Sequence, residues 1–358
     1  MTEKNDAVAV KAALRDSAYE RKYGEGLEEF LREDFPLEEL LEMARQKTRE
    51  HFPPATEKKS AEKHRIKLFA PLYLANICVN HCRYCGFQHN QKILRRHLTF
   101  PETCLELDVL QQRKFRQILL VAGENPKLCT TDYFCEIIRE IRRREMVPAV
   151  EIAPQTTESY AAMAEAGNRS ITLFQETYDE EKYRLYHPQG PKSSFDWRIA
   201  TYDRAGEGGF RFFGFGILLG LAEPRAELRR MMRQAWYLSE KFPLDGISFS
   251  LPRIRVAPNG FQPPYPVDDT LFIRFYAILR RMFPRAELVL STRETVEMRN
   301  RLYESCITYT SAGSHTDPGG YYAESTGQFS GEQFPITDHR SVEDLTQWLT
   351  TRGFDVRF

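Results

Sequence analysis

Short apolar segments alternate with longer helical segments over most of the chain, and this alternation restricts the fold more than any other feature of the sequence. Repeated strand–helix units join parallel strands by right-handed crossovers. Eight such units predict an α/β protein with a closed (β/α)8 barrel of about 250 residues. An open barrel or a doubly wound sheet is the alternative. The predicted strands are Ile66–Asn76, Gln117–Ala122, Ala149–Ala153, Ser170–Phe174, Arg211–Leu219, Gly246–Ser250, Glu287–Ser291 and Ile307–Ser311.

Two extensions are predicted to flank the barrel. Residues 1–65 are polar, with apolar residues at helical spacing that is broken at Pro36 and ended by the pair Pro53–Pro54. The sequence therefore predicts an N-terminal helical extension over 1–65 and a barrel over 66–315. A C-terminal extension over 316–358 is expected to pack on the barrel.

Polar or glycine-rich residues follow nearly every predicted strand. In (β/α)8 barrels the active site lies at the carboxyl ends of the strands, so we expect these side chains to form a single site. The candidate residues at these positions are Cys78, Gly123, Glu124, Glu176, Gly216, Arg253, Arg293, Ser311, Ser314 and His315.

Three cysteines with the spacing C-x3-C-x2-C follow the first strand, at Cys78, Cys82 and Cys85. Iron–sulfur clusters are usually held by four thiolates, and no fourth cysteine follows at ligand spacing. The loop thus predicts a [4Fe-4S] cluster with one iron open to a small molecule. A structural zinc site completed by His81 or His89 is the alternative, although no second zinc knuckle exists. The odd total of seven cysteines argues against a disulfide framework.

The charge balance excludes several partners. Lys plus Arg and Asp plus Glu both number 50, so the formal net charge is zero and nothing indicates a nucleic-acid partner. No apolar run approaches the roughly 20 residues that cross a bilayer, and the acidic start is unlike a secretory signal. We expect a cytoplasmic protein in a reducing compartment.

The cysteine loop resembles that of the radical S-adenosylmethionine (SAM) enzymes, and the wider motif set resembles their aromatic amino acid lyase branch, the 2-iminoacetate synthases of thiamine biosynthesis in particular. The similarity extends from about residue 66 to Arg340, and the order and number of the motifs make it specific. The motifs are Leu72–Phe87, Gln175–Tyr178, His187–Lys192, Ser291–Glu294, Ser311–Ser314 and Pro318–Tyr321.

This resemblance implies a cluster that binds SAM and cleaves it to a 5′-deoxyadenosyl radical, while the protein binds, orients and excludes water. Tyr84 would lie near the adenine. Gly123, Glu124 and Glu176 would accept from the methionine ammonium or the ribose, and Gly216 would allow close approach to the nucleoside. Arg198 is the candidate fork for the SAM carboxylate, because guanidinium binds carboxylate bidentately.

The resemblance further implies an amino acid substrate, L-tyrosine, whose Cα–Cβ bond breaks to give 2-iminoacetate and p-cresol. Arg293 is the first choice for its carboxylate, with Ser311 or Ser314 as hydrogen-bond partners and Arg253 in reserve. The proton carriers considered are His315, Tyr73, Glu151 and Tyr321, and the residues do not decide among them.

Two departures leave the substrate open. Relatives usually have Arg or Lys where this chain has His315, and imidazole is only partly charged near neutral pH. The chain also lacks the Lys-Asp-Trp-Asp-like tail that the thiamine enzymes often have. Separately, no second cysteine motif typical of hydrogenase-maturation lyases follows Cys306, which argues against that branch. Tryptophan or another aromatic amino acid remains an alternative substrate, and a zinc-stabilised scaffold barrel the non-enzymatic one. By resemblance, a flavodoxin or ferredoxin would supply electrons and a thiazole synthase would accept the product.

Overall fold

Eight parallel strands form a closed barrel, as the alternation predicts. The computed structural model describes residues 2–55, 63–327 and 330–358. The order of the strands is β2-β3-β4-β5-β6-β7-β8-β1, and pairing of β1 with both β2 and β8 closes the barrel. The strands are β1 Arg65–Ala75, β2 Gln117–Ala122, β3 Val147–Glu151, β4 Ser170–Glu176, β5 Phe212–Ile217, β6 Gly246–Ser250, β7 Glu287–Leu290 and β8 Tyr309–Ser311.

A ninth strand, β9 Asp355–Arg357, was not predicted. It pairs in parallel with Arg65–Lys67, the start of β1. Its three residues are too few to show a periodicity. The predicted strand Ile307–Ser311 is also shorter than expected, since only Tyr309–Ser311 pairs with its neighbours.

Helices surround the barrel and precede it. Helix α4 starts directly after Pro36, where the sequence predicts a break, and it packs on α12, while α1 packs on α11. The predicted end at Pro53–Pro54 is followed by residues 56–62, outside the described ranges. The helices are α1 Thr2–Arg15, α2 Ala18–Tyr23, α3 Leu27–Phe30, α4 Leu37–His51, α5 Phe100–Gln112, α6 Thr131–Arg143, α7 Thr157–Glu165, α8 Glu180–Tyr186, α9 Phe195–Ile199, α10 Thr201–Glu207, α11 Pro224–Lys241, α12 Asp269–Met282, α13 Val296–Tyr303, α14 Gly320–Thr326 and α15 Val342–Thr351.

None of the helices in the described ranges is both long enough and apolar enough to cross a membrane.

The interior of the barrel contains a cavity of about 640 Å³. It runs along the strands, because it is lined by alternate residues of β1 from Lys67 to Tyr73. Bulky side chains normally fill such a barrel in layers. Here one layer is small: a Cβ at Gly214 would lie 2.5 Å from Thr172 Oγ1 and 2.9 Å from Ser248 Oγ. These small residues leave space at the centre of the barrel, below the loops that follow the strands.

Candidate active site

The cysteine loop lies at the carboxyl end of β1. Cys82 is buried, Cys78 and Cys85 are half-buried, and all three are free thiols. The Asn80 amide nitrogen lies 3.7 Å from Cys78 Sγ, and the backbone N–H of Phe87 donates to Cys85 Sγ over 3.4 Å. Such donors stabilise a sulfur that carries negative charge.

The three thiols fit an iron–sulfur cluster better than a single zinc ion. Among the residues that the structure describes, no three His, Cys, Asp or Glu side chains converge on a point that could hold one metal ion. In a cluster each thiolate binds a different iron, so the sulfur atoms need not converge. His89 Nδ1 instead lies 3.3 Å from the carbonyl oxygen of Cys78. Burial raises the pKa of Cys82 to about 12 and that of Cys85 to about 11, so metal binding must displace their protons.

Arg95, to which the sequence analysis assigned no role, holds the cysteine loop together. Its guanidinium donates to the carbonyls of Asn76 at 2.5 Å, Phe87 at 2.8 Å, Gln88 at 2.6 Å and Gln91 at 3.0 Å. These four bonds satisfy carbonyls that no helix or sheet would pair.

Gly123 and Glu124 contact the cysteine loop directly. A Cβ at Gly123 would lie 2.9 Å from the carbonyl oxygen of Ile77, so only glycine permits this approach. The backbone N–H of Val79 donates to the Glu124 carbonyl over 2.9 Å, and the Asn80 amide donates to the Glu124 carboxylate over 2.6 Å. The end of β2 thus lies beside the cysteines, as predicted.

Glu176 ends β4 in a strained conformation, with a positive φ of 71° at a non-glycine residue. Its carboxylate accepts from Lys192 Nζ over 2.8 Å and lies 3.8 Å from Arg198. Arg198 Nε and Nη2 both donate to the Phe174 carbonyl, at 3.0 and 2.5 Å. Arg198 therefore supports the β4 end rather than presenting a free fork for a SAM carboxylate. Lys192, the last residue of the His187–Lys192 motif, is part of this cluster.

Tyr84 packs in the site with its ring fixed by His187. His187 Nδ1 lies 2.7 Å from the Tyr183 carbonyl, which can only accept. Nδ1 therefore carries the proton, and Nε2 accepts from the Tyr84 hydroxyl over 2.8 Å. Burial lowers the pKa of His187 well below its usual value, so the imidazole stays neutral.

Gly216 makes room for a neighbouring ring. It pairs with Phe174 across β4 and β5, and a Cβ there would lie 2.3 Å from the Phe174 Cδ1 atom. The structure explains this glycine by packing, and the predicted nucleoside contact is not needed to account for it.

Arg293, Ser311, Ser314 and Tyr73 all line the cavity. Among the described residues, none accepts a hydrogen bond from the Arg293 guanidinium, whose carbon lies 3.4 Å from the centre of the Phe334 ring. The buried Ser314 hydroxyl likewise has no partner in that part of the chain. Burial raises the pKa of Tyr73 above its usual value, and its hydroxyl donates to Gln333 over 2.8 Å.

Two predicted site residues, Arg253 and His315, do not line this cavity. The Arg253 guanidinium donates to both carboxylate oxygens of Glu294, at 2.8 and 2.7 Å, and this buried pair leaves no fork for a substrate. His315 contacts Glu324 at 2.6 Å and lines an outer groove with Ile93 instead of the cavity. These contacts do not support the roles predicted for Arg253 and His315 in substrate binding and catalysis, which stay predictions.

A segment of residues 331–338, here called the strap, crosses the mouth of the cavity. The backbone N–H of Gly86 donates to the Gln333 carbonyl over 3.2 Å, and Thr337 donates to Thr292 over 2.9 Å. A Cβ at Gly86 would lie 2.6 Å from the carbonyl oxygens of both Glu332 and Gln333. Gln333 and Phe334 escaped the sequence analysis because no local pattern marks a loop that reaches back over the barrel.

Comparison with known proteins agrees with this site. Residues 72–235 match the Radical SAM superfamily, and residues 250–355 match the Biotin and Thiamin Synthesis associated domain. The fold and site are those of a radical SAM enzyme, a class that uses a [4Fe-4S] cluster and SAM, as the cysteine loop predicts.

Similar proteins identify the family within the radical SAM class. The chain is 31% identical over 318 residues to the 2-iminoacetate synthases of Escherichia coli K12 and Salmonella typhimurium, which covers 88% of this chain and 81% of each relative. The chain belongs to the 2-iminoacetate synthase family. A crystal structure of HydG, a maturase of the [FeFe]-hydrogenase, superposes with a TM-score of 0.82 at 31% identity, covering 99% of this chain and 79% of HydG.

Proposed function

We propose that this protein is a radical SAM lyase that cleaves the Cα–Cβ bond of L-tyrosine to 2-iminoacetate and p-cresol, for the thiazole of thiamine. The observation that carries the proposal is that Tyr73 lines one apolar-walled cavity together with the Arg293 guanidinium, and that Cys78 and Cys85 of the cysteine loop pack on the cluster that contains Tyr73. SAM becomes methionine and 5′-deoxyadenosine. The overall conversion also consumes two electrons and one proton.

The cofactor end of the site would be held by the cysteine loop and its neighbours. Cys78, Cys82 and Cys85 would bind the cluster, which with SAM supplies a 5′-deoxyadenosyl radical. Tyr84 offers an aromatic wall for the adenine. The half-buried carboxylate of Glu124 and the backbone of Gly123 offer acceptors for the ammonium of SAM.

Glu176 belongs to this cofactor end. Its carboxylate would face SAM, and the contact with Lys192 Nζ at 2.8 Å fixes its orientation.

The substrate end would be held by Arg293, with Ser311 and Ser314 as hydrogen-bond partners for the amino acid carboxylate. Phe69, Phe174 and Phe215 line the cavity below them and suit an aromatic side chain. Because the pKa of Tyr73 is raised, its hydroxyl remains protonated and acts as a hydrogen-bond donor rather than a base.

The three-part division at residues 65 and 315 and a cytoplasmic location form part of the proposal. The electrons would come from a flavodoxin or ferredoxin. Because imines hydrolyse readily in water, a thiazole synthase would take up 2-iminoacetate directly. No nucleic acid or membrane takes part.

The test is anaerobic turnover of the reconstituted, reduced protein with SAM and each aromatic amino acid. Tyrosine should yield p-cresol and 5′-deoxyadenosine. The Cys82→Ala variant should lose bound iron and all SAM cleavage, while Cys104→Ala, a cysteine on α5 outside the loop, should keep both. A colourless protein with one bound zinc would refute the [4Fe-4S] cluster and the radical SAM activity.

Tryptophan is the second candidate substrate, because the apolar cavity walls accept an indole as readily as a phenol ring. Tryptophan cleavage without p-cresol formation from tyrosine would assign that substrate and refute the tyrosine assignment.

A further inference from the structure

Glu151 places a carboxylate in the cavity. It is the last residue of β3, and its side chain lines the cavity. Among the described residues, none donates a hydrogen bond to it or forms an ion pair with it. An isolated buried charge is costly, so a carboxylate held in this position calls for a cation from a ligand.

In the described part of the chain, two of the three cations that interact with Glu151 have other partners. Lys192 and Arg198 are both engaged with Glu176 and the β4 end. Arg293 attracts Glu151 through space, yet the two form no ion pair. The charged and titratable groups that interact with Glu151 from the neighbouring elements include Tyr73, Glu176, Lys192, Arg198, Tyr202 and Arg293.

Two opposite charges therefore face one apolar cavity, and neither is neutralised by the other. A guanidinium and a carboxylate held apart in this way complement a zwitterion, whose own two charges are separated by one carbon atom. An α-amino acid has this arrangement. Arg293 can bind its carboxylate bidentately. The α-ammonium group of the ligand would then face Glu151.

We propose that Glu151 binds the α-ammonium group of the amino acid substrate and takes one proton from it. The inference rests on the proposed function and adds the residue that receives the amino group. In the transfer, one N–H bond of the ammonium breaks and one O–H bond forms on Glu151. No electron is exchanged, and the product is a neutral amine whose N–H bond faces the radical.

The ionisation of Glu151 suits this exchange. Burial raises the pKa of its carboxyl to about 7, Arg293 opposes the rise and Glu176 adds to it. A base is most useful when its pKa lies near the working pH. Because the charged form is lost as the pH falls below about 7, the affinity for the ammonium group should fall with it.

The experiment compares two ligands that differ only in the amino group, L-tyrosine and 3-(4-hydroxyphenyl)propanoate. Their binding to the SAM-loaded holoenzyme is measured by calorimetry without reductant, so that no turnover occurs. The wild type should bind tyrosine at least about tenfold more tightly, since a hydrogen bond to a charged group contributes that much. The Glu151→Gln variant should bind the two ligands equally.

A matched control is Glu287→Gln, the same change at a cavity carboxylate that Lys67 already pairs at 2.7 Å. This variant should retain the preference for tyrosine. Glu151→Asp should restore part of it. In the wild type the preference should weaken below about pH 7, and in Glu151→Gln it should not change with pH.

A preference for tyrosine that persists in Glu151→Gln would overturn the proposal, as would a wild type that does not discriminate. These outcomes are separate from failure of the tyrosine assignment. If tryptophan proves to be the substrate, the same comparison with indole-3-propanoate tests Glu151 unchanged.

Discussion

Arg293 and Arg299 both follow β7, but their guanidinium groups differ in whether the protein provides hydrogen-bond partners. Arg299 is fully buried; it pairs with Asp338 and donates to Thr310 Oγ1 over 2.9 Å and to the Ser311 carbonyl. Arg293 has an aromatic ring on one face and no hydrogen-bond partner for its guanidinium among the described residues. The protein therefore pairs Arg299, which holds the strap to the barrel, and leaves Arg293 in the cavity available to a ligand.

The largest expected effect is the loss of stability when Arg299 is replaced. Arg299→Leu leaves Asp338 buried without one of its two arginine partners, and breaking a buried pair typically costs about 3–5 kcal/mol. We expect a loss near the lower limit, because Arg340 still contacts Asp338 at 2.6 Å. The measurement is the shift in the chemical denaturation midpoint. Arg301→Leu, at an exposed arginine on the same helix, is the control, and an equal shift there would break the comparison.

Replacing Arg293 should instead lower activity and leave stability intact. Arg293→Gln removes two charge-assisted hydrogen bonds to the substrate carboxylate, each contributing about 1.5–3 kcal/mol, so kcat/KM should fall at least about 100-fold. Its unfolding midpoint should stay the same or rise, because an unpaired buried charge is lost. Arg293→Lys should give an intermediate kcat/KM. A large loss of stability in Arg293→Gln would show that this arginine is structural too.

The smallest effect concerns the ring over Arg293. Phe334→Leu removes a cation–π contact of about 0.5–2 kcal/mol, so KM should rise severalfold at nearly constant kcat. Phe334→Tyr keeps the aromatic face and should resemble the wild type. Steady-state p-cresol formation reports both constants. An equal fall in SAM cleavage without substrate would instead assign the ring to the cofactor end.

The sequence sufficed for the barrel and for the proximity of the cysteine loop to the end of β2. Alternating apolar strands and helical gaps allow few topologies, and residues that follow parallel strands must gather at one rim. The cysteine loop and the Gly123–Glu124 segment are contiguous motifs, so their proximity follows from the strand order alone.

Pairing between distant side chains could not be predicted in this way. Arg253 and Arg293 both follow strands and look alike in sequence, yet Glu294 neutralises the first and not the second. His315 lies beyond the barrel because Glu324 of α14 draws it outward. The strap and β9 fold back from the C-terminal segment, where three to eight residues carry too little periodicity to reveal their partners.

The tight contact at Gly86 has a genetic consequence. Because backbone oxygens of the strap occupy the space of any Cβ there, even alanine would force the loop away from the strap. A position with no chemistry of its own should thus tolerate mutation as poorly as the cysteine before it. In a saturation mutagenesis screen for thiamine-independent growth, Gly86 and Cys85 should be depleted of variants alike.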